Sequence, residues 1–232
     1  WHDHLAEVPE GLPLLLVANE FFDALPVRQF QLTGQGWAER LVGLEPGGEG
    51  LRFLLGSPGG LATLMIPPHL RTAALALGTV IDLCPAARSI AQEIGLRLTS
   101  DGGAALIIDY GHTALVPTDT LQALRRHQPV PVLETPGEAD LTTHVDFTAL
   151  ADAARAGGAV AYGPVTQAAL LHALGIATRA ATLTRTATPE QSADITAALH
   201  RLTAPEEMGS LFKALALTGS AALVPAGFPP TG

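Results

Sequence analysis

The chain has 232 residues, 47% of them hydrophobic and only 15% charged, a composition that supports a sizeable core and excludes a disordered chain. Its formal charge of −9 opposes attraction to nucleic acid phosphate and anionic lipid and favours a basic partner segment. The longest apolar runs, near residues 12–18 and 104–108, fall far short of the ~20 residues of a membrane span, and the single Cys84 excludes an intrachain disulfide or a zinc cluster.

The chain starts at Trp1, and nothing before Leu12 has the basic and apolar parts of a signal peptide, so it is expected to be a fragment. The first predicted strand is Leu14–Ala18, an apolar run expected to be covered on both faces as in a parallel sheet. It ends abruptly at Asn19, Glu20, Phe21, Phe22 and Asp23, where an α/β sheet delivers polar groups to a cleft. From Val27 to Gly56 the period changes: RQFQLT, WAERLVGLE and LRFLLG, separated by glycine-rich breaks, predict an inserted antiparallel meander. Ser57–Gly60 and Pro67-Pro68 mark its exit.

Pro85 suits the first turn of a helix, and Ile90, Ile94 and Leu98 then share a stripe. Asp101-Gly102-Gly103 leads into a strand at Ala104–Asp109. Asp146 is the expected N-cap of a helix that carries Phe147, Leu150 and Ala154 inward and ends at Gly157-Gly158. A strand at Ala159–Tyr162, a helix from Thr166 to Leu174 stopping at Gly175, helical spacing late in Thr182–Ala204, and a strand at Leu211–Leu217 follow. Strands alternating with helices predict an α/β fold with a mostly parallel sheet.

Two acids three residues apart after a strand, Glu20 and Asp23, can fork onto a planar cation through charge-assisted bonds. A backbone-capping role for both is the competing reading. Phe21 and Phe22 can wall a pocket and stack on that cation, or plug the gap between sheet and helix. Asn19 is placed to bond a ligand or its own turn. Asp109, Tyr110 and His112 follow the second strand and are expected on the same rim as Glu20, with His112 able to accept a proton. The alternative for this stretch is a capped turn with Gly111 at positive φ. His144 is a further cleft candidate, and Asp119-Thr120 is patterned without an evident role. The histidines are scattered with no metal-ligand spacing, so no metal site is expected.

NEFFDALPVRQF at residues 19–30, Trp37-Ala-Glu-Arg40, IIDYGH at Ile107–His112, DTLQALRRH at Asp119–His127, PGEADLTTHVDF at Pro136–Phe147 and MGSLFKALAL at Met208–Leu217 occur in one order. Together they resemble the MidA family of S-adenosylmethionine-dependent methyltransferases. The resemblance implies a class I methyltransferase, Rossmann-like sheet lacking its first three strands, with the four predicted strands as the fourth, fifth, sixth and antiparallel seventh. It implies three segments: residues 1–26 as the fourth-strand region, 27–80 as the meander with a connecting helix, and 81–232 as the rest of the core.

It further implies symmetric dimethylation of an arginine on a complex I subunit of the 49-kDa type, in support of complex I assembly, with S-adenosyl-L-methionine as methyl donor. Glu20, Asp23 and His112 would be catalytic; Asn19, Phe21, Phe22, Asp109, Tyr110 and His144 would bind substrate. The main donor site is expected upstream of Trp1, since no G-x-G-x-x-G occurs, and this chain alone is expected to be inactive. A bacterial relative would work in the cytoplasm and a eukaryotic one in mitochondria; a homodimer is left open. A noncatalytic assembly module gripping a subunit through the meander is the alternative reading, and a nicotinamide-dependent dehydrogenase a third.

Overall fold

In the computed structural model, which describes residues 1–230, strand β1 (Leu14–Asn19) precedes the meander strands β2 (Arg28–Thr33), β3 (Gly36–Leu44) and β4 (Leu51–Leu55). Short helices α1 (Gly60–Met65) and α2 (Pro68–Arg71) lead to β5 (Val80–Leu83), and the long helix α3 (Pro85–Asp101) to β6 (Gly103–His112). Strands β7 (Gln122–Arg125), β8 (Gln128–Val130), β9 (Asp140–Thr142) and β10 (Val145–Asp146) come next. The order closes with α4 (Phe147–Ala156), β11 (Val160–Thr166), α5 (Gln167–Ala173), α6 (Ile176–Thr184), α7 (Pro189–Thr203), α8 (Met208–Leu211) and β12 (Phe212–Thr218). The chain separates into two compact units, Trp1–Phe22, Ala87–Ala114 and Val145–Gly232 in the first, Asp23–Ala86 and Leu115–His144 in the second.

The first unit is built on a sheet of order β1-β6-β12-β11, with β10 continuing alongside β6. β1 is parallel to β6, whereas β12 runs antiparallel to both β6 and β11. Burial explains why β12 lacks alternation: Ala214, Leu215, Ala216 and Leu217 are all buried, as befits a strand covered on both faces. Helix α3 buries Ala87, Ala91, Ile94 and Leu98 at helical spacing, so its stripe runs through the alanines, and Ile90 stays half-buried. Gly95 and Gly157 let α3 approach the end of α4 backbone to backbone, since a Cβ on either would stand 2.3 or 2.4 Å from a carbonyl oxygen of the other helix. Asp146 caps α4 by accepting from the Ala149 N–H at 3.0 Å. Thr188 and Gln191 form a reciprocal capping box on α7. Arg97 of α3 pairs with Asp101 at 3.2 Å and donates to the Val8 and Pro9 carbonyls, which ties the N-terminal segment to the helix.

The second unit carries an antiparallel sheet of order β4-β3-β2-β5 and a three-stranded sheet of order β8-β7-β9. Phe30, Trp37, Ile66, Leu70 and Ile81 form its core, joined by Leu115. Arg28 of β2 grips Glu39 of β3 through two bonds of 2.7 Å, and this pairing holds the Glu39 carboxyl below its usual value and the Arg28 guanidinium above its own.

Several expectations need correction. β1 is not covered on both faces: Leu15 and Val17 are 84% and 74% exposed, on an edge strand that pairs with β6 alone among the described residues. The Asp109–His112 stretch is strand, not turn, since Tyr110 pairs with Phe212 and Gly111 with Val145. Gly111 is absent from the positive-φ glycines; it is small because a Cβ there would lie 2.1 Å from the Val145 carbonyl oxygen. The helical pattern after Thr166 resumes past Gly175 as α6, and Met208–Leu211 is a helical turn before β12. β5, which rejoins the meander by pairing with β2, and the sheet of β7–β9 were not foreseen. VIDL is short and sits between loop signals, and QALR and DLT carry too few apolar residues to show a period.

Candidate active site

The carboxyl ends of β1 and β6 lie side by side because the two strands are parallel and in register, with Asn19 opposite Ile108. The ladder makes its last step from the Glu20 N–H to the Ile108 carbonyl at 3.0 Å. There the chain turns sharply: Glu20 has φ +47, a left-handed conformation that few residues other than glycine adopt. The next two backbone N–H groups, of Phe21 and Phe22, both donate to one Asp109 carboxylate oxygen at 3.2 and 3.0 Å. The other oxygen accepts from the Tyr110 N–H at 2.9 Å. Asp109 is fully buried.

Around this anchor Asn19 and Glu20 are exposed, and the Asn19 amide reaches the Glu20 carboxylate at 3.4 Å. Phe22 is buried while Phe21 remains half in solvent, their rings edge to face at 5.1 Å. Tyr110 is buried against the Phe212 ring at 5.4 Å. Strand alternation puts Asp109 and Gly111 on one face of β6 and Tyr110 and His112 on the other, so the expectation that all of these side chains share one rim is corrected. His112 is half-buried and paired in register with Asp146 of β10. Burial, opposed by the Ala149 N–H, holds the Asp146 carboxyl above its ordinary value. Lys213, in register with Asp109 on β12, donates to the Ser210 and Leu211 carbonyls, and burial holds its ammonium below the usual lysine value.

The two remaining candidates, Asp23 and His144, belong to the second unit. Asp23 is buried, and its carbonyl accepts from the Thr143 N–H at 3.0 Å. The His144 N–H donates to Thr120 Oγ1 at 3.0 Å, and that hydroxyl in turn donates to Asp82 at 2.5 Å. Gln29, buried on β2, spans Asp82 and Asp119 with two bonds of 2.8 Å, and Arg40 also pairs with Asp119. Asp82 and Gln29 escaped the sequence reading because their partners lie 38 to 90 residues away. Asp119-Thr120 was the one trace of the cluster visible in the chain.

Among the described residues no group of His, Cys, Asp and Glu is placed to hold a metal ion, and no helix is long and apolar enough to cross a membrane. The turns after β1, β6 and β11 have no glycine-rich cradle for an adenosyl group. What the turn after β1 presents is an exposed carboxylate on a pinned backbone beside a half-exposed aromatic ring.

A sheet with two neighbouring parallel strands, then one antiparallel strand, then a third parallel one is the latter part of a class I methyltransferase sheet, and this α/β class is the one the fold defines. The chain belongs to the family described as "Putative S-adenosyl-L-methionine-dependent methyltransferase", whose pattern matches residues 1–165. It is 38% identical over 226 residues to the mitochondrial protein arginine methyltransferase NDUFAF7 of Danio rerio, covering 96% of this chain and 51% of that protein. The human protein of that name is 36% identical over 219 residues, covering 94% of this chain and 48% of its own length. A Burkholderia thailandensis superfamily member crystallised with S-adenosyl-homocysteine superposes with a TM-score of 0.79 at 29% identity, over 94% of this chain and 56% of the other. The chain thus spans about half the length of the curated relatives it matches.

Proposed function

We propose that the protein transfers methyl groups from S-adenosyl-L-methionine to an arginine of a protein substrate, and that the region after β1 receives the arginine. The observation that carries this reading is the exposed Glu20 carboxylate, fixed by a pinned turn at the carboxyl ends of two parallel strands, where α/β sheets bind ligands. A carboxylate there orients the guanidinium plane and draws positive charge from the attacking nitrogen; holding reactants in line supplies roughly 7–11 kcal/mol of such a barrier. Asn19 and the half-exposed Phe21 complete the acceptor side. His112, whose imidazole can take up a proton, is the proposed proton acceptor; Phe22 and Tyr110 are proposed to line the acceptor side within the first unit, while Asp23 as a catalytic acid and His144 as a substrate contact are proposed for the second unit.

The relatives named arginine methyltransferases support the acceptor, and the S-adenosyl-homocysteine bound to the Burkholderia protein, which is what the donor becomes once its methyl is transferred, supports the donor. The finer reading is symmetric dimethylation of an arginine on a respiratory complex I subunit, in support of complex I assembly, in the cytoplasm of a bacterium or the mitochondrion of a eukaryote. Methyl transfer by the complete protein to purified complex I subunits, read by mass spectrometry, tests it. The expected result is a dimethylated arginine that Glu20→Gln reduces roughly 10²-fold or more. Full transfer by Glu20→Gln overturns the acceptor role, and methylation confined to lysine overturns the substrate class.

A further inference from the structure

We infer that Asp109 is a positioning residue that acts through Glu20 and does not itself touch substrate, an assignment that rests on the acceptor reading of Glu20 given above. The β1–β6 ladder ends at Glu20, so the N–H groups of Phe21 and Phe22 have no strand partner. A donor of that kind requires an acceptor where the chain is buried, as it is at Phe22. Asp109 supplies it with one oxygen, and with the other it accepts from Tyr110. Three backbone donors converge on a fully buried carboxylate, which turns the group inward, away from solvent and any ligand.

The same bonds account for the backbone of Glu20. A non-glycine residue at φ +47 persists only where its surroundings over-determine it. Here the Ile108 carbonyl fixes the residue's own N–H, and Asp109 fixes the two N–H groups that follow. Phe22, buried and edge-on to Phe21, seats the far side of the turn. Glu20 is left as the exposed acid of a rigid loop, aimed by a second acid that never meets the arginine.

Asparagine at position 109 keeps the shape but has one acceptor oxygen, so either the Phe21–Phe22 pair or Tyr110 then faces an NH₂ group. In the unsubstituted protein, the Phe21 and Phe22 amides are expected to exchange hydrogen as slowly as those of β6; exchange at open-loop rates overturns the anchor without any variant being needed. In Asp109→Asn they are expected to exchange at least roughly tenfold faster, the loss of one charge-assisted bond, with Leu215 and Leu217 unchanged.

In the methyl-transfer assay, Asp109→Asn is expected to lower kcat roughly 10²-fold at unchanged donor KM, and Asp109→Asn with Glu20→Gln to lose no more than the worse single variant. Losses that multiply in the double variant overturn the coupling. Full activity in Glu20→Gln overturns the acceptor reading itself, whereas activity lost in Glu20→Gln but kept in Asp109→Asn overturns only the positioning role.

Discussion

Gly111 and Val145 meet backbone to backbone: a Cβ on Gly111 would stand 2.1 Å from the Val145 carbonyl oxygen and 2.7 Å from its nitrogen. Glycine is required there by space and not by conformation, since Gly111 is not among the positive-φ residues. Rigid backbone atoms cannot step aside as the end of a side chain can. Gly111→Ala is therefore expected to force β10 from β6, at a cost of about 1–3 kcal/mol or more. In thermal unfolding that corresponds to roughly 2–4 °C per kcal/mol for a chain of this size. An unchanged midpoint would mean that β10 yields freely.

Asp146 starts α4 and is raised in pKa chiefly by burial. A carboxyl raised in the folded state binds its proton more tightly there than in the unfolded chain. Its contribution to stability is therefore fully present below the unfolded value of about 3.9 and is lost as pH rises through the folded value. Asp146→Asn keeps an equally good cap without the charge, so it should gain on the wild type at pH 7, with the difference closing as pH falls toward 4. Asp146→Ala should lose about 1 kcal/mol through the missing cap. Denaturant titrations of the three proteins at several pH values check both.

The polar cluster of the second unit makes a separate prediction. Thr120 Oγ1 donates to Asp82 and accepts from the His144 N–H, so Thr120→Val removes both bonds while keeping the side-chain volume. About 1–3 kcal/mol of stability should go with them, and exchange of the His144 amide should accelerate while that of Ile81 in the core stays slow. Equal acceleration at both positions would point to general loosening instead of a local latch.

How much of this was legible in the chain depends on where each residue's partners lie. Asp146 reads as a cap because its acceptor role is settled three residues on, and the meander reads as strands because its alternation is local. The four strands of the first sheet stand out as apolar runs. β5 and the sheet of β7–β9 do not, being short and partly polar. Asp109 looked like a ligand-binding acid, since an aspartate at a strand end bonds a ligand or a backbone with equal ease. Only the fold brings Phe21 and Phe22, 88 and 87 residues away, onto its carboxylate. For the same reason Leu15 and Val17 were expected to be covered: a run of leucines shows the wish for cover, not what supplies it.

That exposed face of β1 has a measurable consequence. Leu15 and Val17 point outward on a strand whose far edge is unpaired among the described residues, and such an edge is a template for association. Purified chain is expected to scatter light and bind a hydrophobic dye as concentration rises, and Leu15→Lys with Val17→Glu to suppress both with little change in thermal midpoint. If the doubly charged variant associates as strongly as the wild type, another surface is responsible.

Glu20 offers the sharpest separation of structure from chemistry. Its left-handed φ of +47 costs a side chain about 1–2 kcal/mol, while glycine adopts it freely but surrenders roughly 0.5–1 kcal/mol of unfolded-chain entropy. Glu20→Gly should therefore leave stability unchanged or raise it by up to about 1.5 kcal/mol, with the Phe21 and Phe22 amides still protected by Asp109. The same variant should lose arginine methylation as fully as Glu20→Gln does. A strained residue whose relief costs activity and not stability is one retained for what it touches. A Glu20→Gly protein that is markedly less stable would mean that the carboxylate itself holds the turn together, and that its exposure serves the fold.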